Sequence, residues 1–469
     1  MKTNYPLLLL FILTVFSTSS KAQNKAVIGS WKGEIELPGA KLEMVFNISE
    51  DEEGNLSTKL DVPQQGALNL PVEETKLRKD SILLQVPAIL STYHGQFITP
   101  DSIAGEWVQG GQKLVLNLKK TGEVKIIKRP QTPQAPFSYS SEDVEYTNPE
   151  SAFKLSGTLT LPKNANKCPA VLLISGSGAQ DRDETIYEHK PFFVIADYFA
   201  KHGIAVLRVD DRGVEGSEGS TREATSKDFA GDVLCGIEYL KSRKDISPTR
   251  IGLIGHSEGG LIAPMVANKS EDVAFIILMA GPGTAGDSIL LEQTELSAKA
   301  TGLSEQAVNA KLFVIKGIIN ILKTNDDQEA RTAAFRKAFT GGMYKMMDDD
   351  KKEMVDKQIA AYNNNWFYFF VNYNPYPALT KVACPVLAMI GEKDVQVPPK
   401  SNLTAINKAL SEGGNKNFKT IEVPNLNHLF QNCKTGSPIE YSQLEETVSP
   451  DVLELMKNWI FEVSEWEEK

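Results

Sequence analysis

The sequence predicts a small all-β domain followed by a larger α/β domain with a parallel sheet. First, 469 residues are more than one hydrophobic core ordinarily serves, so two or three folded units are expected. Second, short alternations of polar and apolar residues, the period of half-buried strands, fill the first part of the chain. Third, continuous apolar runs later alternate with amphipathic helical stretches, as in parallel sheets covered on both faces.

The composition is that of a globular protein with an acidic balance. Hydrophobic residues make up 41% of the chain, charged residues 23%, and the formal net charge is −10. Because phosphate binding needs a basic patch, we expect no nucleic-acid partner. Four widely spaced cysteines favour free thiols over a metal cluster or a dense disulfide framework. The oligomeric state is left open.

Residues 1–22 have the pattern of a secretory signal peptide. Lys2 precedes the apolar run Pro6–Phe16, and Ser20 and Ala22 fit the −3 and −1 positions of a cleavage site. The run is short for a membrane span, although an uncleaved anchor is the alternative. We therefore expect a secreted or periplasmic protein with no membrane attachment after cleavage.

Residues 23–128 are predicted to form the all-β domain, a small sandwich or barrel. Runs such as Lys41–Phe46 and Lys113–Leu118 alternate in polarity, and turns rich in Gly and Asn separate them. The domain carries no cluster of catalytic residue types. A binding or packing role is expected, and a glycan is one open alternative for its ligand.

A proline-rich linker is predicted at 129–136, ahead of a catalytic domain at 137–469. The alternation of strands and helices is interrupted at about 288–372 by a charged, helix-rich segment. We interpret this insertion as a helical cap over the carboxyl ends of the strands, where α/β sheets bind ligands. Within it, Trp366 and Phe370 are candidates for lining a substrate pocket, with packing of the cap as the alternative.

The strongest chemical signal is a G-x-S-x-G motif between an apolar strand and a helix. It runs Gly255-His256-Ser257-Glu258-Gly259. In this context the motif is typical of a sharp turn that exposes a serine nucleophile, and it requires glycines where a Cβ would clash. We assign Ser257 as the nucleophile and expect the His256 side chain to point elsewhere.

A serine hydroxyl needs a base, and a third group must orient that base. His428 follows the short strand Phe418–Val423 in a loop, and His189 is the alternative that stays open. Asp394 follows another strand, which gives the chain order Ser…Asp…His. Glu392 is the local rival for the acid and Asp287 a more distant one.

Two N–H donors should bind the oxyanion that forms during acyl transfer. We expect the backbone of Glu258 and that of Ser177, with Gly176 or Gly178 as alternatives to Ser177. Acid-rich turns at 181–184 and 210–213 are expected to brace loops through ion pairs. No metal and no cofactor are expected, because these turns lack paired histidines.

Several stretches together carry a family resemblance: ISGSGAQDRDE, VLRVDDRG, IGLIGHSEGG, MIGEKDVQVP and VPNLNHLFQ. They resemble the secreted bacterial α/β-hydrolase esterases, near the serine aminopeptidase and prolyl oligopeptidase-like groups. The resemblance implies an α/β-hydrolase fold, ester hydrolysis, and Ser257, Asp394 and His428 as the triad. One departure is Ser175-Gly176, where many relatives have His-Gly.

The resulting hypothesis is a serine hydrolase that cleaves small esters with short- to medium-chain acyl groups through an acyl-enzyme. Cleavage of small peptides is the first alternative. A hydrolase-like scaffold that only binds is the second, and the complete set of three triad residues counts against it.

Overall fold

We describe a computed structural model of the chain at residues 26–37, 40–50, 54–62, 67–109, 111–122, 127–150 and 152–465. The predicted signal peptide lies outside the described residues. The chain divides into two compact units, Met1–Lys128 and Arg129–Lys469, so the predicted linker belongs to the second unit. Within the described ranges, no helix combines the length and the apolar character needed to cross a bilayer.

The first unit is an antiparallel sheet that curls on itself. The Thr75 hydroxyl, in one end strand, donates to the Thr58 hydroxyl (2.8 Å), in the strand next to the other end. The strands are β1 Gly29–Leu37, β2 Ala40–Glu50, β3 Leu56–Val62, β4 Ala67–Val72, β5 Glu74–Leu77, β6 Ser81–Val86, β7 Ser91–Thr99, β8 Ser102–Gln109, β9 Gln112–Val115 and β10 Leu118–Gly122. Their order is β4-β3-β2-β1-β10-β8-β7-β6-β5, with β9 also paired to β8.

Alternation of side chains gives this unit one core. Trp31, Phe46, Tyr93 and Trp107 are fully buried and pack in a single cluster. The run predicted as one strand at 113–118 is broken between β9 and β10, because the Leu116 N–H turns to donate to the Gly105 carbonyl (2.9 Å).

The second unit contains an eight-stranded sheet in the order β11-β12-β14-β13-β15-β16-β17-β18. β14, β13 and β15 to β18 run parallel, as the apolar runs predicted, whereas β11 and β12 form an antiparallel edge. The strands are β11 Ser140–Asn148, β12 Phe153–Leu161, β13 Cys168–Ile174, β14 Ala205–Val209, β15 Ile246–His256, β16 Val273–Met279, β17 Val386–Gly391 and β18 Phe418–Val423.

Helices cover both faces of this sheet, and alternate strand residues enter two separate cores. In β13, Leu172 packs in one core and Leu173 in the other. The helices are α1 Pro191–Lys201, α2 Ser226–Ser242, α3 Glu258–Ala267, α4 Gly286–Ala300, α5 Glu305–Thr324, α6 Gln328–Thr340, α7 Asp349–Tyr362, α8 Asn365–Asn372, α9 Tyr376–Leu379, α10 Pro399–Glu412 and α11 Pro450–Ser464. α2, α3 and α10 pack on one face, and α1 and α11 on the other.

Helices α4 to α8 form the cap between β16 and β17. The cap has a core of its own that includes Ile318, Leu322 and Phe335. Ser304, Asp327 and other polar residues start these helices by accepting a backbone N–H of the first turn, as the sequence pattern of caps requires. The predicted fold class, an α/β-hydrolase fold with a helical cap after a small all-β domain, is confirmed.

Candidate active site

The motif turn is built as its sequence requires. β15 ends at His256 and α3 begins at Glu258, so Ser257 is the single residue between strand and helix. Its backbone angles are φ 53° and ψ −114°, a strained conformation for a residue with a side chain. A Cβ on Gly255 would overlap the Gly259 carbonyl, and a Cβ on Gly259 would overlap the Ile174 carbonyl. The turn therefore tolerates neither substitution.

His428 and Asp394 form a buried pair beyond the ends of neighbouring strands. His428 Nδ1 lies 2.8 Å from Asp394 Oδ2, and the two residues are 4% and 3% exposed. The other carboxylate oxygen of Asp394 accepts the N–H groups of Gln396 and Val397, both at 2.8 Å. Asp394 is thereby held with one oxygen on the imidazole, which fixes the His428 proton on Nδ1 and leaves Nε2 as a base.

The loop that carries His428 is attached to the motif turn. His256 Nε2 lies 3.0 Å from the backbone oxygen of His428, and the two imidazole rings are 4.9 Å apart between centroids. This contact sets the predicted base beside the residue that precedes Ser257. The fold thus brings the Asp394–His428 pair to the residue that precedes Ser257, although these segments are widely separated along the chain.

The rival residues are engaged elsewhere. The Glu392 carboxylate accepts the N–H of Asn425 at 2.8 Å, and Asp287 pairs with Lys323. Both ring nitrogens of His189 are occupied, by the Thr447 hydroxyl (2.8 Å) and the Tyr441 carbonyl (2.9 Å). Burial also lowers the pKa of His189 to about 4.

The loop after β13 lies against Ser257, the predicted nucleophile. A Cβ on Gly176 would stand 3.4 Å from the Cβ of Ser257. The Gly176 N–H donates to Glu184 Oε1 at 2.6 Å, so it is already used. Within the described part of the chain, the N–H groups of Ser177 and Glu258 donate to no other group. Glu258 opens α3, where N–H groups lack intrahelical partners and attract negative charge.

Trp366 of the cap reaches the motif turn. Its indole N–H donates to Glu258 Oε1 (2.8 Å), which also accepts the Ser226 hydroxyl (2.6 Å). Trp366 and Ser177 both line a cleft of about 660 Å³, together with Arg222 and Glu223. Phe370 stacks on Trp366 at 5.5 Å and packs against the core of the cap, outside the residues that line this cleft.

Two carboxyl groups near this turn are hard to ionise. Burial raises the pKa of Asp211 to about 7, although the Gln180 N–H and the Ser175 hydroxyl donate to it. Burial likewise raises the pKa of Glu258. Asp211 therefore carries less negative charge at neutral pH than an exposed aspartate would.

The acid-rich turns contain the ion pairs expected of them. Arg182 binds Asp210 at 2.6 Å, and Arg208 pairs with Asp183. Among the described residues, no group of three His, Cys, Asp or Glu side chains is arranged to hold a metal ion.

One member of these turns has another partner, which the sequence interpretation missed. Glu184 Oε1 lies 2.9 Å from Nδ1 of His256. The sequence does place a histidine in the motif turn and an acid shortly after the Ser175–Gly178 loop. Their spacing along the chain does not indicate that the two side chains meet.

Comparisons with known proteins find hydrolases. Residues 152–428 match the X-Pro dipeptidyl-peptidase (S15 family) profile. Esterase EstD of Thermotoga maritima is 26% identical over 326 residues, which cover 69% of this chain and 68% of the relative. The putative hydrolase YtaP of Bacillus subtilis is 33% identical over 133 residues, 24% of this chain and 44% of the relative.

Solved structures give similar but distant matches. The α/β hydrolase GrgF from Penicillium sp. sh18 is 15% identical, with 70% of this chain and 100% of that one covered and a TM-score of 0.45. The Pyrococcus furiosus esterase Pf2001 is 18% identical, with coverages of 70% and 97% and a TM-score of 0.39.

Proposed function

The chain belongs to the X-Pro dipeptidyl-peptidase (S15) family, and from this premise we propose that it is a serine hydrolase that cleaves carboxylic esters with short- to medium-chain acyl groups. Its nucleophile would be Ser257, its base His428 and the group that orients the base Asp394. The backbone N–H groups of Ser177 and Glu258 would bind the oxyanion.

The proposed reaction is acyl transfer in two halves. The Ser257 hydroxyl attacks the ester carbonyl while His428 Nε2 takes its proton, and the carbonyl oxygen becomes an oxyanion. The intermediate collapses, His428 returns the proton to the leaving alcohol, and the acyl group stays on Ser257. Water then attacks the acyl-enzyme while His428 takes its proton. His428 returns that proton to the Ser257 oxygen as the bond to the acyl group breaks and the carboxylic acid leaves. Asp394 stabilises the imidazolium in both halves without taking its proton.

The observation that carries this proposal is the position of His428. Its imidazole is buried against Asp394 at 2.8 Å, and its backbone is bonded at 3.0 Å to the residue before Ser257. A histidine that served only packing would not need a carboxylate already held by two backbone N–H groups.

The ester preference is supported by the relative named esterase, which is similar over two thirds of this chain. Release of X-Pro dipeptides is the second candidate, because the family profile carries that activity in its name. A peptide substrate would need an acceptor for its terminal amine. Glu223 is a carboxylate that lines the cleft, and Asn365 donates to it at 2.8 Å.

The catalytic proposal is tested by labelling with a fluorophosphonate probe, which reacts with activated serines. The wild type should be labelled and Ser257→Ala should not. The control variant Ser242→Ala, which changes an exposed serine at the end of α2, should be labelled like the wild type. Absence of labelling in the wild type, or its persistence in Ser257→Ala, would leave only a binding function.

The substrate class is tested by a panel of p-nitrophenyl acetate, butyrate and octanoate beside aminoacyl- and Gly-Pro-p-nitroanilides. We expect kcat/KM for acetate or butyrate to exceed that for every anilide. Faster turnover of the Gly-Pro anilide would replace the ester proposal by dipeptide release.

We also propose that the protein is exported and that its mature form begins at Gln23. Intact-mass measurement on the exported protein tests this. A measured mass that still includes residues 1–22 would contradict cleavage.

A further inference from the structure

A second histidine–carboxylate pair lies behind the proposed triad. His256 Nδ1 is 2.9 Å from Glu184 Oε1, and the residues are 6% and 5% exposed. Glu184 has a backbone φ of 51°, a conformation that is unfavourable for its residue type. Neither side chain has a part in the proposed acyl transfer.

The pair connects three segments that carry proposed catalytic groups. Glu184 Oε1 accepts the N–H of Gly176, in the loop with the oxyanion donor Ser177. His256 directly precedes the nucleophile. At its other ring nitrogen it bonds to the backbone oxygen of His428. A carbonyl only accepts, so His256 Nε2 must carry a hydrogen.

The charge state of the pair follows from the same contacts. Burial alone would lower the pKa of His256, but the Glu184 carboxylate and the His428 carbonyl outweigh burial and raise it. An imidazolium donates with both nitrogens, which matches two acceptors at 2.9 Å and 3.0 Å. The buried charges compensate one another, whereas either alone would be costly.

Resting on the proposed function, we propose that Glu184 and His256 are positioning residues. They fix the loop of Ser177 and the loop of His428 against the turn of Ser257. Oxyanion donors and the base act only when they are placed to within a fraction of an ångström. Because neither Glu184 nor His256 is among the residues that line the cleft, we expect loss of the pair to affect the transition state more than substrate binding.

The first test compares two substitutions of Glu184. Glu184→Ala removes both acceptor contacts and should lower kcat about 100-fold with KM within about twofold. Glu184→Gln should recover about tenfold of that loss, because the amide oxygen can take the place of Oε1 and accept from both the Gly176 N–H and a protonated Nδ1 of His256. A folded Glu184→Ala enzyme with wild-type kcat, or with a change confined to KM, would overturn the inference.

The second test separates the two bonds of His256. Gln places an amide near the position of Nε2 and can keep the bond to the His428 carbonyl, whereas Asn places one near Nδ1 and can keep the bond to Glu184. Each variant should lower kcat, and both should remain above a His256→Ala variant. A kcat equal to that of the wild type in all three variants would contradict the positioning role of His256. These variants also carry the test if Glu184→Ala fails to fold.

Asp232→Asn is the matched control. Asp232 is a buried carboxylate bonded to Arg212 (2.7 Å) and Asn148 (2.6 Å), outside the three connected segments. It should lose thermal stability but keep kcat within about twofold. If kcat falls as far in Asp232→Asn as in Glu184→Ala, Glu184 contributes to general stability and not to positioning.

The outcome is separable from that of the proposed function. If the wild type is labelled and active, and the Glu184 and His256 variants have the same kcat, only the positioning role is rejected. A wild type that is neither labelled nor active rejects the proposed function and this inference together.

Discussion

At the scale of single residues, the site depends on which atom of each side chain is already engaged. Asp394 gives one oxygen to two backbone N–H groups and the other to His428. The hydrogen on His428 Nδ1 is therefore set by a carboxylate that cannot turn away.

Asp394→Asn tests this arrangement. The amide nitrogen would face His428 Nδ1 as a donor, since the amide oxygen is needed by the backbone N–H groups. The imidazole would then carry its hydrogen on Nε2 and could not accept the serine proton. We expect kcat to fall about 10³- to 10⁴-fold with little change in KM, measured on the best p-nitrophenyl ester. A loss below tenfold would show that Asp394 is not the orienting acid.

Asp211→Asn tests the raised pKa of Asp211. Between its ordinary pKa near 3.8 and about 7, the folded protein holds a proton on Asp211 that the unfolded chain releases. Its contribution to stability is therefore present at low pH and is lost as the pH rises through 7. The Asn variant should exceed the wild type in Tm by about 2–4 °C at pH 8, and by less at pH 5.

The control for this measurement is Asp101→Asn, which removes one charge at an exposed turn. The difference in Tm between Asp101→Asn and the wild type should be the same at pH 5 and pH 8. An advantage of Asp211→Asn that is the same at pH 5 and pH 8 would contradict the assignment.

Local sequence predicts residues whose roles follow from local geometry. Ser257 could be singled out because the turn and its two glycines are contiguous in sequence. Glu184 and His256 could not be paired in advance, because they meet only after β13 and β15 are neighbours in the sheet. For the same reason, nothing local showed that the Gly176 N–H is already used.

At the scale of elements, a hydrogen bond from Trp366 in α8 to Glu258 at the start of α3 joins the cap to the motif turn. The elements that apolar runs define were predictable, among them β16 and β17. The antiparallel pair β11 and β12 was not, because polar residues interrupt both strands and neither carries a continuous apolar run.

Trp366→Phe tests the attachment of the cap. The variant keeps the ring that stacks on Phe370 and removes the N–H that binds Glu258. We expect KM for p-nitrophenyl butyrate to rise about three- to tenfold with a smaller change in kcat, because the substitution acts on a wall of the cleft. Tyr368→Phe, on the same helix, is the control, since its hydroxyl bonds to Asp326 in the cap. Equal effects of the two variants would argue against the attachment.

At the scale of the whole molecule, each of the two compact units has hydrophobic clusters built from its own residues. Compact units of this kind commonly unfold as separate cooperative units. Calorimetry of the full chain should therefore show two transitions, and fluorophosphonate labelling at Ser257 should move only one. A single transition that moves as a whole on labelling would contradict independent unfolding.

The indole of Trp366 is an intrinsic fluorophore of this protein. It is hydrogen-bonded to the residue next to Ser257 and borders the cleft, so the acyl group of the proposed acyl-enzyme would change the polarity around this fluorophore. Emission spectra that differ between wild type and Trp366→Phe would isolate its signal from the other tryptophans. Formation and decay of the acyl-enzyme could then be followed in stopped flow without a chromogenic leaving group.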